Sequence, residues 1–239
     1  MANLSTTKVS KIVAENFRTA KVFSDFGIDF CCNGGIPLID ACKQNNVDID
    51  DIMVQLELVI KDPDSVDYQS MELDELIDFI IRVHHNYVQA TIPVLKQYLD
   101  KLSKVHSERH PELHQINNLF IKTSEALINH MRKEEQILFP FIKEMCETKD
   151  KNTSCIDPYF GHIDNPIAMM EMEHAAEGES FRQIADLSNQ YTCPPDGCQT
   201  YQVAYAVLDE FEEDLHKHIH MENNILFPKA KLMFAEMKV

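Results

Sequence analysis

Apolar residues recur every three or four positions through most of this 239-residue chain, and short polar breaks carrying Pro or Gly separate the runs. That period is the signature of amphipathic helices. Lys8 to Asp25 has it at Val9, Ile12, Val13, Phe17, Ala20 and Val22. After the turn-forming Asn33-Gly34-Gly35, Pro37 opens a short helix to Gln44, and Asp48 or Asp50 caps another through Ile60. Lys61-Asp-Pro-Asp-Ser65 reads as a linker. Four longer segments follow: Ser70, a candidate N-cap, to about Val105; Pro111 to Cys146; Pro166 to Asn189; and Cys198 to Met237. The pattern predicts an all-α protein, with a small helical domain over residues 1–65 and an up-down four-helix bundle over 66–239.

The stripes of the bundle helices contain residues that do not belong in an ordinary core. Ile116, Leu119, Thr123 and Leu127 lead to His130 and Glu134, then Ile137 and Phe141. Val207, Phe211 and Leu215 lead to His218 and Glu222, then Ile225. Each pair is His-x-x-x-Glu followed by Ile-Leu-Phe-Pro, and the two copies stand 88 residues apart. Residues i and i+4 share a helix face, so each copy aims an imidazole and a carboxylate the same way. The third helix adds His174, on a face with Ile167, Met170, Phe181 and Ile184. The first adds His85, in line with Ile77, Ile81, Val88, Ile92 and Leu95, whereas His84 lies on a wetter stripe with Tyr87 and Tyr98, as a supporting or surface residue.

Counting residues from the turns places His85, His130, His174 and His218 at one level, and places His106 at a helix end, outside the set. A buried, unpaired charge is costly, and metal ions would remove that cost. Two bridging glutamates and four terminal histidines suit a dinuclear site of iron or manganese, with zinc tolerated. Glu135 turns away by one helical step, and Glu171, Glu173 and Glu177 are expected to be exposed or to support the site and line an access path.

Charge narrows the partners. With 39 acidic residues against 22 basic ones the net charge is −17, which disfavours nucleic acid and anionic membrane surfaces. Seven cysteines, with no apolar leader and no run of membrane-span length, predict a cytoplasmic protein with reduced thiols.

The segments Phe26-Gly-Ile-Asp-Phe-Cys31-Cys32, His85, His130-Met-Arg-Lys-Glu134-Glu-Gln-Ile-Leu-Phe-Pro140, Met172-Glu173-His174 and His218-Ile-His-Met-Glu222-Asn-Asn-Ile-Leu-Phe-Pro228 together resemble the RIC (repair of iron centres) family of hemerythrin-like di-iron proteins, over nearly the whole chain. The resemblance implies two iron ions with an oxo or hydroxo bridge, ligated by His85, His130, Glu134, His174, His218 and Glu222. It implies repair of iron–sulfur clusters damaged by nitric oxide or oxidants through iron donation, with damaged iron–sulfur proteins as clients. Nitric oxide reduction and binding of O2 or NO as a sensor are the alternatives, so enzymatic activity stays open, as does a homodimer. Cys31 and Cys32, expected to be accessible in a Gly-rich turn, are candidates for redox chemistry or iron transfer, with a buried structural pair as the plain alternative. Cys193 and Cys198 receive no role.

Overall fold

The computed structural model describes residues 4–16, 18–60, 68–150 and 158–237. Among them there is no strand, only an isolated bridge between Lys8 and Pro37. Eight helices follow a 3-10 turn: α1 (Val9–Glu15), α2 (Thr19–Asp25), α3 (Leu38–Gln44), α4 (Ile49–Ile60), α5 (Leu73–Val105), α6 (Glu112–Asp150), α7 (Asp164–Leu187) and α8 (Gln199–Met237). The all-α expectation holds. Among the described residues, no helix is long and apolar enough to cross a membrane.

The ends differ from expectation where local chemistry competes. The run from Lys8 to Asp25 is two helices, because Asn16 is extended (φ −147°) and its side chain accepts the Arg18 N–H at 3.1 Å, offering the backbone an alternative to the helix. Phe17 and the linker Lys61–Ser65, with the expected domain boundary, lie outside the described residues. Helix α5 begins at Leu73, not after Ser70, and Glu72 accepts the N–H of Leu76. Asp48 caps α4 through the Asp50 N–H at 2.8 Å.

Three of the long helices contain a π-helical turn: Ile81–His85 in α5, Glu134–Leu138 in α6 and Glu222–Leu226 in α8. In each the next N–H reaches back five residues, Asn86 to Ile81, Phe139 to Glu134 and Phe227 to Glu222. In α6 and α8 the following residue is Pro140 or Pro228, which has no N–H and whose ring crowds the carbonyl four residues back. The wider turn relieves that conflict. It also inserts an extra residue and shifts the buried face. Leu138, not Ile137, is buried in α6, and Ile80, not Ile81, in α5. Leu119 and Val207, expected inside, are half-buried; Phe120 and Leu208 take the core positions.

The described chain divides into two compact units. The first comprises Met1–Asp78, Ile142–Asn165 and His216–Val239, and the second Phe79–Phe141 and Pro166–Leu215. In the second, four helical segments enclose Leu95, Leu99, Ile116, Phe120, Phe181, Ile184, Leu208 and Phe211. The Phe181 and Phe211 rings stack at 5.4 Å, and Phe120 meets both edge-on. In the first unit, α1 packs against the π turn of α8. Gly34 is required there: a Cβ would lie 2.3 Å from the Phe30 carbonyl oxygen.

Candidate metal centre

In the second unit, His85, His130, Glu134 and His174 come together, each at most 1 % exposed. The Nε2 atoms of His130 and His174 stand 3.0 Å apart. Glu134 offers Oε1 at 3.3 Å from His130 Nε2 and Oε2 at 3.4 Å from His85 Nε2, so one carboxylate spans two imidazoles. His130, Glu134 and His174 each present an atom within 4.8 Å of the others. Glu134 opens one π turn and His85 closes another, consistent with the frequent placement of such turns at functional sites.

The far ring nitrogens explain why the near ones converge. His85 Nδ1 donates to Glu135 Oε1 at 2.7 Å, and His130 Nδ1 donates to Glu173 Oε2 at 3.0 Å. A carboxylate on Nδ1 fixes the proton there, leaving the Nε2 lone pair free to bind a metal. Burial would raise the Glu173 pKa, but Lys133 and His130 outweigh it and hold the carboxyl below its ordinary range. Glu135 is therefore no bystander: it orients His85. Spacing along one helix could not reveal this, because the two residues meet across helices.

Two further residues, expected at the surface or in support of the site, are buried. His84 is buried, with Nδ1 2.9 Å from Asp214 Oδ1 and its ring edge-on to Phe79. Glu177 is 3 % exposed, whereas Glu171 is exposed and Glu173 half-buried. Desolvation pushes the Glu177 carboxyl up to about 7, against the pull of His130 and His174. His106 ends its helical segment, its ring stacked on Tyr201 and its Nε2 3.3 Å from Cys198 Sγ.

In the first unit, His218 and Glu222 form the second pair, both buried, with Nε2 to Oε1 at 2.9 Å. The vicinal cysteines lie in the same unit. Asp29 Oδ1 accepts the N–H groups of Cys31 and Cys32 at 3.0 and 2.9 Å and the Cys31 thiol at 3.3 Å. Asn33 Nδ2 donates to Asp29 Oδ2 at 2.7 Å. The premise of accessible thiols fails for Cys31, which is 5 % exposed; Cys32 is half-buried. Hydrogen bonding to Cys32, burial and the Asp29 charge all raise the Cys31 pKa and keep it a thiol. Asn224, two residues past Glu222, donates to the Cys31 carbonyl at 3.1 Å. His220, between His218 and Glu222, packs its ring on Phe30 and sits 3.4 Å from the Phe30 carbonyl. The cysteine loop is thus bonded to the helix that carries the second His-Glu pair.

A buried set of three imidazoles and a carboxylate, with carboxylates behind two of the rings, fits iron, manganese or zinc and is costly without a cation.

Residues 76–230 match the hemerythrin HHE cation binding domain, and residues 5–60 match ScdA_N, a domain of unknown function (DUF542). Among curated relatives, the iron-sulfur cluster repair protein YtfE of Yersinia pestis (strain Pestoides F) is 35% identical over 214 residues, covering 89% of this chain and 91% of the relative. Its namesake in Escherichia coli O81 (strain ED1a) is 33% identical over 213 residues, with the same coverage. The hemerythrin-like bundle behind a small helical N-terminal domain agrees with the fold class expected from the sequence. The chain belongs to the family of iron–sulfur cluster repair proteins that carry an N-terminal ScdA_N domain and a hemerythrin HHE cation-binding domain.

Proposed function

We propose that this protein restores damaged iron–sulfur clusters by donating iron from a two-iron centre. His85, His130, His174, His218, Glu134 and Glu222 would hold the two ions. The observation that carries the reading is the buried His85–Glu134–His130–His174 constellation, with Glu135 and Glu173 fixing two of the imidazole protons. His218 and Glu222 enter the set on their identical His-x-x-x-Glu-x-x-Ile-Leu-Phe-Pro segment and equal burial. Bound iron would supply redox and Lewis-acid chemistry and serve as the cargo. The protein's own groups bind the ions, hold the ring protons at Nδ1 and keep water out. The relatives' names support repair. Damage by nitric oxide or oxidants, contact with NO or O2, and a cytoplasmic setting belong to this proposal, as does the division into residues 1–65 and 66–239.

Donation, rather than storage, is supported by the hydrogen bond from Asn224 to the Cys31 carbonyl and the seat of His220 on Phe30, which tie a thiol-bearing loop to the helix of His218 and Glu222. Metal analysis with Mössbauer spectroscopy tests the centre, with two irons per chain expected. Mixing the loaded protein with an apo iron–sulfur enzyme tests donation. Recovery of the enzyme's activity with loss of about one iron supports it; retention of both irons with no recovery refutes it.

A further inference from the structure

The cysteine loop of the first unit holds three potential ligands that the two-iron centre does not use. The carboxylate of Asp29 and the thiols of Cys31 and Cys32 each offer an atom within 4.8 Å of the other two. Among the described residues, no other thiols stand in such a group. Cys31 Sγ lies 3.3 Å from Asp29 Oδ1 and 3.7 Å from Cys32 Sγ. The second distance is far beyond an S–S bond, so the pair stands as two thiols. Both distances match the spacing of ligands around one tetrahedral ion. With metal–sulfur bonds of about 2.3 Å and metal–oxygen bonds of about 2.0 Å, two sulfurs stand about 3.8 Å apart, and a sulfur and an oxygen about 3.5 Å apart. The backbone holds the donors at that spacing. Asp29 Oδ1 accepts the N–H groups of Cys31 and Cys32, Asn33 donates to Oδ2, and Asn224 donates to the Cys31 carbonyl. Asp29 and Cys32 are half-buried, so an ion can reach the cluster from solvent. Packing alone does not call for this set: Cys42, in the same unit, is a buried thiol outside any such group.

We propose that Asp29, Cys31 and Cys32 form a metal site separate from the His–Glu centre, taking one thiolate-preferring divalent cation, zinc or ferrous iron, through one carboxylate oxygen and two sulfurs. The cation replaces two protons: each S–H loses H+ to solvent and each sulfur bonds the ion as a thiolate, with no change of oxidation state. Before binding, the Asp29 charge favours the proton on Cys31. A divalent ion among the three donors reverses that balance. Water completes the fourth position. The site stands or falls independently of the two-iron centre.

The test is a cobalt(II) titration of the metal-free, reduced full chain under anaerobic conditions. Cobalt bound to thiolate absorbs strongly in the near ultraviolet, and cobalt on imidazole and carboxylate alone does not. Wild type should develop that band with one cobalt per chain. The double variant Cys31→Ser, Cys32→Ser should lack it, and Asp29→Asn should need about tenfold more cobalt, at least the scale seen when a group supporting a metal site is removed. The band should persist in Cys42→Ser and in His130→Ala, which keeps failure of the two-iron centre apart from failure of this site. A second measurement needs no variant: zinc should slow alkylation of Cys31 and Cys32 in wild type about tenfold or more, read by mass spectrometry of their peptide. A band absent from wild type or retained by the double variant, its loss in His130→Ala, or equal alkylation with and without zinc would overturn the assignment.

Discussion

Asp29 organises the cysteine loop, and its replacement has a calculable effect. Asp29→Ala removes Oδ1, which accepts from the Cys31 and Cys32 amides and the Cys31 thiol, and Oδ2, which accepts from Asn33. Each unsatisfied, partly buried amide costs about 1–3 kcal/mol, so the two together set an expected loss of about 2–6 kcal/mol. Urea unfolding followed by circular dichroism reads that loss as a lower midpoint. The pH dependence has a definite sign. Burial alone would raise the Asp29 pKa, but hydrogen bonds from Cys32, Cys31 and Asn33 outweigh it and hold the carboxyl below its ordinary range. Its contribution is therefore complete above about pH 4, the unfolded value, and is lost as pH falls from there through the lower folded value. The variant should show a smaller acid destabilisation than wild type over that window. Asp29→Asn separates charge from shape. It keeps an acceptor oxygen and removes the negative charge that helps hold Cys31 as a thiol. Cys31 should then alkylate faster at mildly alkaline pH, read by mass spectrometry of the labelled peptide. An unchanged midpoint for Asp29→Ala, together with an unchanged alkylation rate for Asp29→Asn, would refute the view that Asp29 sets this loop.

Other perturbations address the core and the π turns. Pro140→Ala and Pro228→Ala restore a backbone donor and remove the ring that the π turns at Glu134 and Glu222 accommodate, so the metal-free protein should gain about 1–3 kcal/mol while its affinity for iron falls; calorimetric melting and iron titration read the two signs. Phe211→Ala opens a cavity beside Phe181 and Phe120 and should cost about 3–5 kcal/mol in denaturant unfolding. His84→Leu strips Asp214 of its ring partner in a largely buried place and should cost about 1–3 kcal/mol, with part recovered in the double variant His84→Leu, Asp214→Leu.

The sequence by itself determined the helices of the bundle and the residues to suspect. Both rest on local periodicity: apolar residues at three- and four-residue intervals make a stripe, and a histidine or glutamate inside that stripe must be buried with the rest. His85, His130, Glu134, His174, His218 and Glu222 are all buried for this reason. The twin prolines were equally visible, but their consequence was not, because whether a helix breaks, kinks or widens at proline depends on what packs around it. Only the folded chain put a π turn at each His-x-x-x-Glu segment and moved the buried face from Ile137 to Leu138. Only tertiary structure brought Glu135 to His85 and Glu173 to His130, since those partners meet across helices and no spacing along one helix encodes the meeting. The same holds for Glu177. Its place in the chain marks it as one acidic residue among several beside His174, and its burial without a partner follows from the helices that close over it.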